Sequence, residues 1–169
     1  MKNFRLTVIM LLVAAFILTS VLANAQSKAA IEWYNKGIHE NDLNKKIEYY
    51  SKAINIDPNF TLAYNNRGVV YKNLKRYDEA IADYNRAINT KPNFGMAYNN
   101  RGIAYFYLKK YNEAIADFTK TISLEPNNPN PYFDRGYTYE TTGRISEAKR
   151  DYQKACDLGA VEACKELKK

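Results

Sequence analysis

The sequence predicts an all-α chain built as a stack of antiparallel helix pairs, an α-solenoid. Three observations predict it. The stretch YNNRGVVYKNLKRYDEAIADYNRAINTKPN, from Tyr64 to Asn93, returns 34 residues later as YNNRGIAYFYLKKYNEAIADFTKTISLEPN, from Tyr98 to Asn127. Within each copy, apolar residues recur at helical spacing on both sides of a break, as in KNLKRYDEA, so each copy reads as two helices. Pro58, Pro92 and Pro126 fall in step at the ends of copies, where the ring removes a backbone donor and disfavours helix in the residue before it. A single helix pair buries little apolar surface, so neighbouring pairs must stack to share a core.

The first element stands apart from this stack. A short basic start, MKNFR, precedes the apolar run LTVIMLLVAAFILTSVL and then small residues at Ala23 and Ala25. These are the three parts of a secretory signal. Residues 1–25 are read as a signal peptide cleaved before Gln26, with 26–169 as the mature domain. The competing reading is a retained anchor, because the run lies at the lower edge of spanning length. With cleavage, contact with the membrane is transient and the protein is exported, periplasmic or secreted. Losing Lys2 and Arg5 lowers the formal charge from +7 to +5. The remaining charges are interspersed, whereas a nucleic-acid surface needs basic residues clustered on one face. No nucleic-acid partner is expected.

The mature chain divides into copies at about 27–60, 61–94, 95–128 and 129–160, followed by a capping helix at 160–167. The repeated frame is Gly68, Gly102 and Gly136; Tyr71, Tyr105 and Tyr139; Ala80, Ala114 and Ala148; then Tyr84, Phe118 and Tyr152. Small residues stand where paired helices must approach closely, and aromatic residues fill the seam. The first copy is degenerate: counting back from Pro58 without a gap puts Tyr34 and Lys46 at the Gly and Ala places. Gly37 marks a slipped or shortened first helix as the alternative. With these residues at this period, the chain resembles the tetratricopeptide repeat family. The resemblance implies a right-handed solenoid of about four repeats and a binding function directed at other polypeptides.

The family pattern places Leu before the Gly. Here that place holds Arg67, Arg101 and Arg135, and sixteen residues after each lies an acid: Asp83, Asp117 and Asp151. In the ungapped first copy the same two places hold Trp33 and Tyr49, so both members turn apolar together. Three structural ion pairs are expected, since the Arg fork matches a carboxylate. The alternative is a basic stripe for an anionic ligand.

In a stacked solenoid the first helices of the pairs line the inner surface. Asn65, Asn66, Asn99 and Asn100 lie on those helices. An Asn just before the Arg-Gly step resembles the asparagine ladder of the O-linked N-acetylglucosamine transferase repeats. The resemblance implies that Asn66 and Asn100 hold an extended peptide backbone, with both a donor and an acceptor to offer; Asp134 departs from the pattern at the third rung. A solvated polar helix face is the alternative. The groove is expected to add Val69, Met96, Ile103, Phe106, Phe133 and Tyr137, with Leu62 beside them, an apolar lining that suits a guest with hydrophobic anchors. The chaperone-binding carboxylate clamp of the family needs cations where this chain has Ile31, Met96 and Asn100. Asn35 and Asn66 fit its Asn positions but cannot hold a terminal carboxylate alone.

The chain closes with KACDLGAVEACKELKK. This resembles the joint of secreted, cysteine-bridged αα-repeat proteins, which implies a disulfide between Cys156 and Cys164. Two buried thiols or half of a metal site are the alternatives. His39 is the single histidine, no metal site is expected, and no cofactor is implied. No nucleophile elbow, zinc helix or phosphate loop is present. Glu79, Glu113 and Glu147 recur in step before the frame Ala, as a solvated face does and a single active site does not. The expected function is an exported scaffold or adaptor that binds a peptide or protein in its groove and is not an enzyme. The alternative is a self-associating structural component or an accessory subunit of an envelope complex.

Overall fold

A computed structural model describes residues 25–168, and the expected signal peptide at 1–25 lies outside them except for its last residue. Among the described residues every regular element is a helix. They are α1 (25–39), α2 (Leu43–Ile56), α3 (Thr61–Asn73), α4 (Tyr77–Thr90), α5 (Gly95–Tyr107), α6 (Tyr111–Leu124), α7 (Pro129–Thr141), α8 (Ile145–Asp157) and α9 (Val161–Glu166). The chain divides into two compact units, up to Ala63 and from Tyr64 onward.

In the first unit α1 pairs with α2, which Asp42 caps by accepting from the Lys45 amide at 2.9 Å. A Cβ on Gly37 would stand 2.5 Å from the Tyr50 ring. Gly37 therefore holds the close-approach place, and the ungapped alignment is corrected. Six positions separate Gly37 from the start of α2, against nine between Gly68 and the start of α4. The first hairpin is three residues shorter. The residue before its Gly is then Lys36, not Trp33. Trp33 still meets Tyr49, with ring centroids 5.6 Å apart, but Lys36 and Lys52 lie over the indole at 4.2 and 4.3 Å.

In the second unit the first helices α3, α5 and α7 alternate with the second helices α4, α6 and α8. Gly68, Gly102 and Gly136 face the rings of Tyr84, Phe118 and Tyr152, and an added Cβ would lie 2.7, 2.8 and 3.0 Å from them. A methyl group there would drive the paired helices apart. Ala80, Ala114 and Ala148 are buried beside those rings. Each first helix closes the same way. The amides of Arg76, Lys110 and Arg144 reach back five residues to the carbonyls of Tyr71, Tyr105 and Tyr139, at 2.9, 2.9 and 2.8 Å. This helix stop needs a left-handed residue just before the donor. Lys75 and Lys109 supply it at φ +60°, and Gly143 at φ +78°.

Glu79, Glu113 and Glu147 stand in the first turns of α4, α6 and α8. There a carboxylate complements the exposed amides and the positive end of the helix dipole. Glu79 and Glu147 also accept from Arg76 and Arg144, at 2.8 and 2.9 Å. Recurrence of the acid thus follows from helix initiation. At the far end Cys156 and Cys164 are joined, with their Cα atoms 4.9 Å apart. The bond ties α8 to α9, whose Ala163 is fully buried against Ala148, Tyr152 and Ala155.

Candidate functional site

The three Arg–Asp contacts form one repeated device. Arg67 Nε and Nη2 donate to Asp83 at 2.8 and 2.7 Å, Arg101 to Asp117 at 2.7 Å twice, and Arg135 to Asp151 at 2.7 and 2.8 Å. Desolvation pushes the Asp83 and Asp117 carboxyls above their ordinary value, against the pull of the Arg fork. The remaining nitrogen reaches backward along the stack: Arg101 Nη1 donates to Asn85, and Arg135 Nη1 to Thr119 at 2.8 Å. Each of these two Arg residues thus ties its own second helix to the second helix of the previous pair. Tyrosines flank the same groups, Tyr98 and Tyr105 around Arg101 at 5.4 and 5.8 Å. With both fork ends occupied, these Arg residues serve as cross-braces.

The Asn positions separate into two kinds. Asn65 is 1% exposed, so it does not line an open groove. Its Oδ1 accepts from Asn100 Nδ2 at 3.2 Å, and its Nδ2 donates to Asn66 Oδ1 at 3.2 Å. One repeat later Asn99 Nδ2 donates to Asp134 Oδ2 at 3.4 Å, while Asn99 Oδ1 is buried without a hydrogen-bond partner. Asn65 and Asn99 therefore link one first helix to the next. Their partners on the following helix are the rung residues Asn100 and Asp134, so Asn100 also takes part in this seam.

Phe133 takes the third turn of this series and departs from the expected lining. Its ring packs on Tyr152, centroids 5.6 Å apart, within the cluster that includes Leu167. The element that follows α7–α8 is the short capping helix α9, which buries Ala163 there, and an aromatic ring replaces the amide at that step.

The remaining expected residues gather on the face of α3, α5 and α7. Ile103, Phe106, Tyr107, Tyr137 and Thr138 surround a cavity of about 250 Å³ that also contains Asp134. Tyr107 and Tyr137 are 57% and 49% exposed, and Met96 is exposed on the same helix as Ile103. Phe106 meets Tyr137 at 5.4 Å, and Tyr107 stacks on Tyr77 at 5.2 Å. Val69 is half-buried against the cluster of Ala80, Tyr84 and Ala104. Tyr107 and Lys72, which line a neighbouring hollow with Ile103, are not among the expected lining residues. Lys72 and Tyr107 follow Val69 and Ile103 by one helical turn, which is the signal that could have found them. Burial pushes the Asp134 carboxyl up to about 6, with Asn99 and Lys72 pulling the other way. Burial likewise lowers the Lys72 ammonium from its ordinary value.

Among the described residues no group of three His, Cys, Asp or Glu side chains gathers to hold a metal, and no helix is long and apolar enough to cross a membrane. The site offers shape, apolar surface, amide groups and one half-buried carboxylate. These are means of binding.

The chain matches the tetratricopeptide repeat at residues 61–94, 96–128 and 118–156, and the TPR repeat at 40–75. It is 30% identical over 63 residues to human tetratricopeptide repeat protein 28, covering 37% of this chain and 2% of that protein. It is 36% identical over 56 residues to an uncharacterized protein of Methanocaldococcus jannaschii, covering 31% of this chain and 65% of that one. Less than two thirds of either relative's length is therefore spanned. Among solved structures, the first TPR of Spaghetti (RPAP3) bound to the HSP90 peptide SRMEEVD is 31% identical with a TM-score of 0.61, covering 64% of this chain and 87% of that one. MamA from Desulfovibrio magneticus RS-1 shares the fold with a TM-score of 0.76 at 18% identity, covering 84% of this chain and 81% of that one. The matches together run from residue 40 to residue 156, and the chain belongs to the tetratricopeptide repeat family.

Proposed function

We propose that this protein is an exported scaffold that holds a peptide or protein partner against the face of α3, α5 and α7 and performs no catalysis of its own. The observation that carries the reading is the cavity between Phe106, Tyr107 and Tyr137, open beside exposed apolar surface. Apolar area concentrated on one face marks a binding surface. A relative of the same family holds a seven-residue peptide. This chain has Met96 and Asn100 where a carboxylate clamp needs cations, and Asp134 a repeat later, so its guest differs in chemistry from an acidic terminus.

Recovery of partners from periplasmic extract tests the reading. A Tyr107→Ala/Tyr137→Ala protein should lose partners that the wild type and a Lys149→Ala control retain. Equal recovery by all three would refute it. Amino-terminal sequencing of the protein from producing cells should begin at Gln26. A membrane-bound chain that keeps its first residues would contradict cleavage. The second reading, self-association within an envelope complex, draws on Ile145 and Val161, both exposed near the C-terminal end. It predicts concentration-dependent sedimentation that Val161→Asp abolishes.

A further inference from the structure

Four carboxylates of the second unit are shielded from water: Asp83, Asp117 and Asp151 are buried, and Asp134 is half-buried. Three of them receive a two-pronged Arg fork from their own repeat. Asp134 is the exception. Its carboxylate receives one hydrogen bond, from Asn99 at 3.4 Å, and no ion pair. Lys72 acts on it only at longer range. Even a half-buried carboxylate is costly to keep without a paired cation. The two preceding rungs at the same repeat position, Asn66 and Asn100, are neutral amides. The third rung therefore brings a negative charge to a place where the repeat can do without one.

What surrounds Asp134 states what it lacks. Phe106, Tyr107 and Tyr137 wall the cavity, and Ile103 continues the wall toward Lys72. Ring faces attract a cation and also cover an aliphatic stem. A volume of about 250 Å³ admits one long side chain.

We propose that the cavity containing Asp134 is a specificity pocket for a lysine or arginine side chain of the partner polypeptide, its stem against Phe106, Tyr107 and Tyr137 and its cationic head on the Asp134 carboxylate. The inference rests on the groove reading and adds the chemistry of its guest. It also places this groove opposite in charge preference to one that holds an acidic terminus.

The probe is a displayed library of linear twelve-residue peptides selected on the purified protein at pH 7.5, followed by calorimetric titration of the most enriched peptide. Selected peptides should share a Lys or Arg beside an apolar residue. Replacing that Arg by citrulline, or Lys by norleucine, should weaken binding about thirtyfold or more, the effect of removing one partner of a buried charge pair. Asp134→Asn should weaken the parent peptide to a similar degree and leave the neutral peptide unchanged. The citrulline and norleucine peptides leave the protein untouched, so the result stands whatever Asp134→Asn does to folding. Peptides that bind without a basic residue, or equally well to Asp134→Asn, yet are lost on Tyr107→Ala/Tyr137→Ala, overturn the pocket and leave the groove reading intact. No enrichment, or binding indifferent to both substitutions, overturns the two together.

Discussion

Removing the carboxylate of Asp117 tests the cross-brace most sharply. Asp117 accepts two bonds of 2.7 Å from Arg101, and the two side chains are 8% and 18% exposed. Asp117→Ala strands a guanidinium that is mostly withdrawn from water, which should cost about 3–5 kcal/mol. For a chain of this length that corresponds to a fall in melting temperature of roughly 10–15 °C. The informative variant is the double one. Arg101→Met/Asp117→Ala removes the stranded charge while keeping an apolar stem, so it should be more stable than Asp117→Ala alone. Urea unfolding of both and of Arg101→Met, followed by circular dichroism at 222 nm, supplies the three values and the coupling between the sites. A loss below about 1 kcal/mol for Asp117→Ala, or a double variant as unstable as the sum of the two singles, would refute the brace.

Other consequences are smaller and independent of one another. Gly102→Ala places a Cβ 2.8 Å from the Phe118 ring and should cost about 1–3 kcal/mol by overpacking, despite the better helix propensity of Ala; a stabilised variant on the same urea assay would contradict the close approach. Lys109→Gly relieves a left-handed backbone at φ +60° and should raise stability by up to about 1 kcal/mol, read as a higher urea midpoint. Reducing the bond between Cys156 and Cys164, which closes a loop of eight residues, should lower stability by about 2.5 kcal/mol and loosen α9, visible as faster amide exchange at Ala163. The Asp134 carboxyl titrates near 6 in the folded chain, above its ordinary value of 3.8. Its contribution is therefore fully present below about pH 4 and lost as pH rises through 6, an effect of up to about 3 kcal/mol that Asp134→Asn should remove from the pH profile of the melting temperature.

Most of the architecture is legible in the chain because three copies repeat the same mechanical requirements. A Gly sixteen residues before an aromatic ring, or an Arg sixteen residues before an Asp, is a distance across one helix pair, and a periodic chain writes that distance three times. The first copy hides its register because its hairpin is three residues shorter, and a count at fixed period steps past Gly37 to Tyr34. The face of the first helices is harder to read. Asn65 and Asn66 are the same residue type one position apart, and composition does not say which one turns into the seam. Phe133 reads as a groove anchor by its chemistry alone. Its packing on Tyr152 lies in the cluster completed by the short capping helix that follows, a neighbour without the repeat's period.

The most direct test of polypeptide binding is amide hydrogen exchange on the purified protein with and without a selected peptide. Protection should concentrate at Ile103–Tyr107 of α5 and Asp134–Thr138 of α7, with α4, α6 and α8 unchanged. Protection confined to those second helices, or none at saturating peptide, would contradict a binding face on α3, α5 and α7.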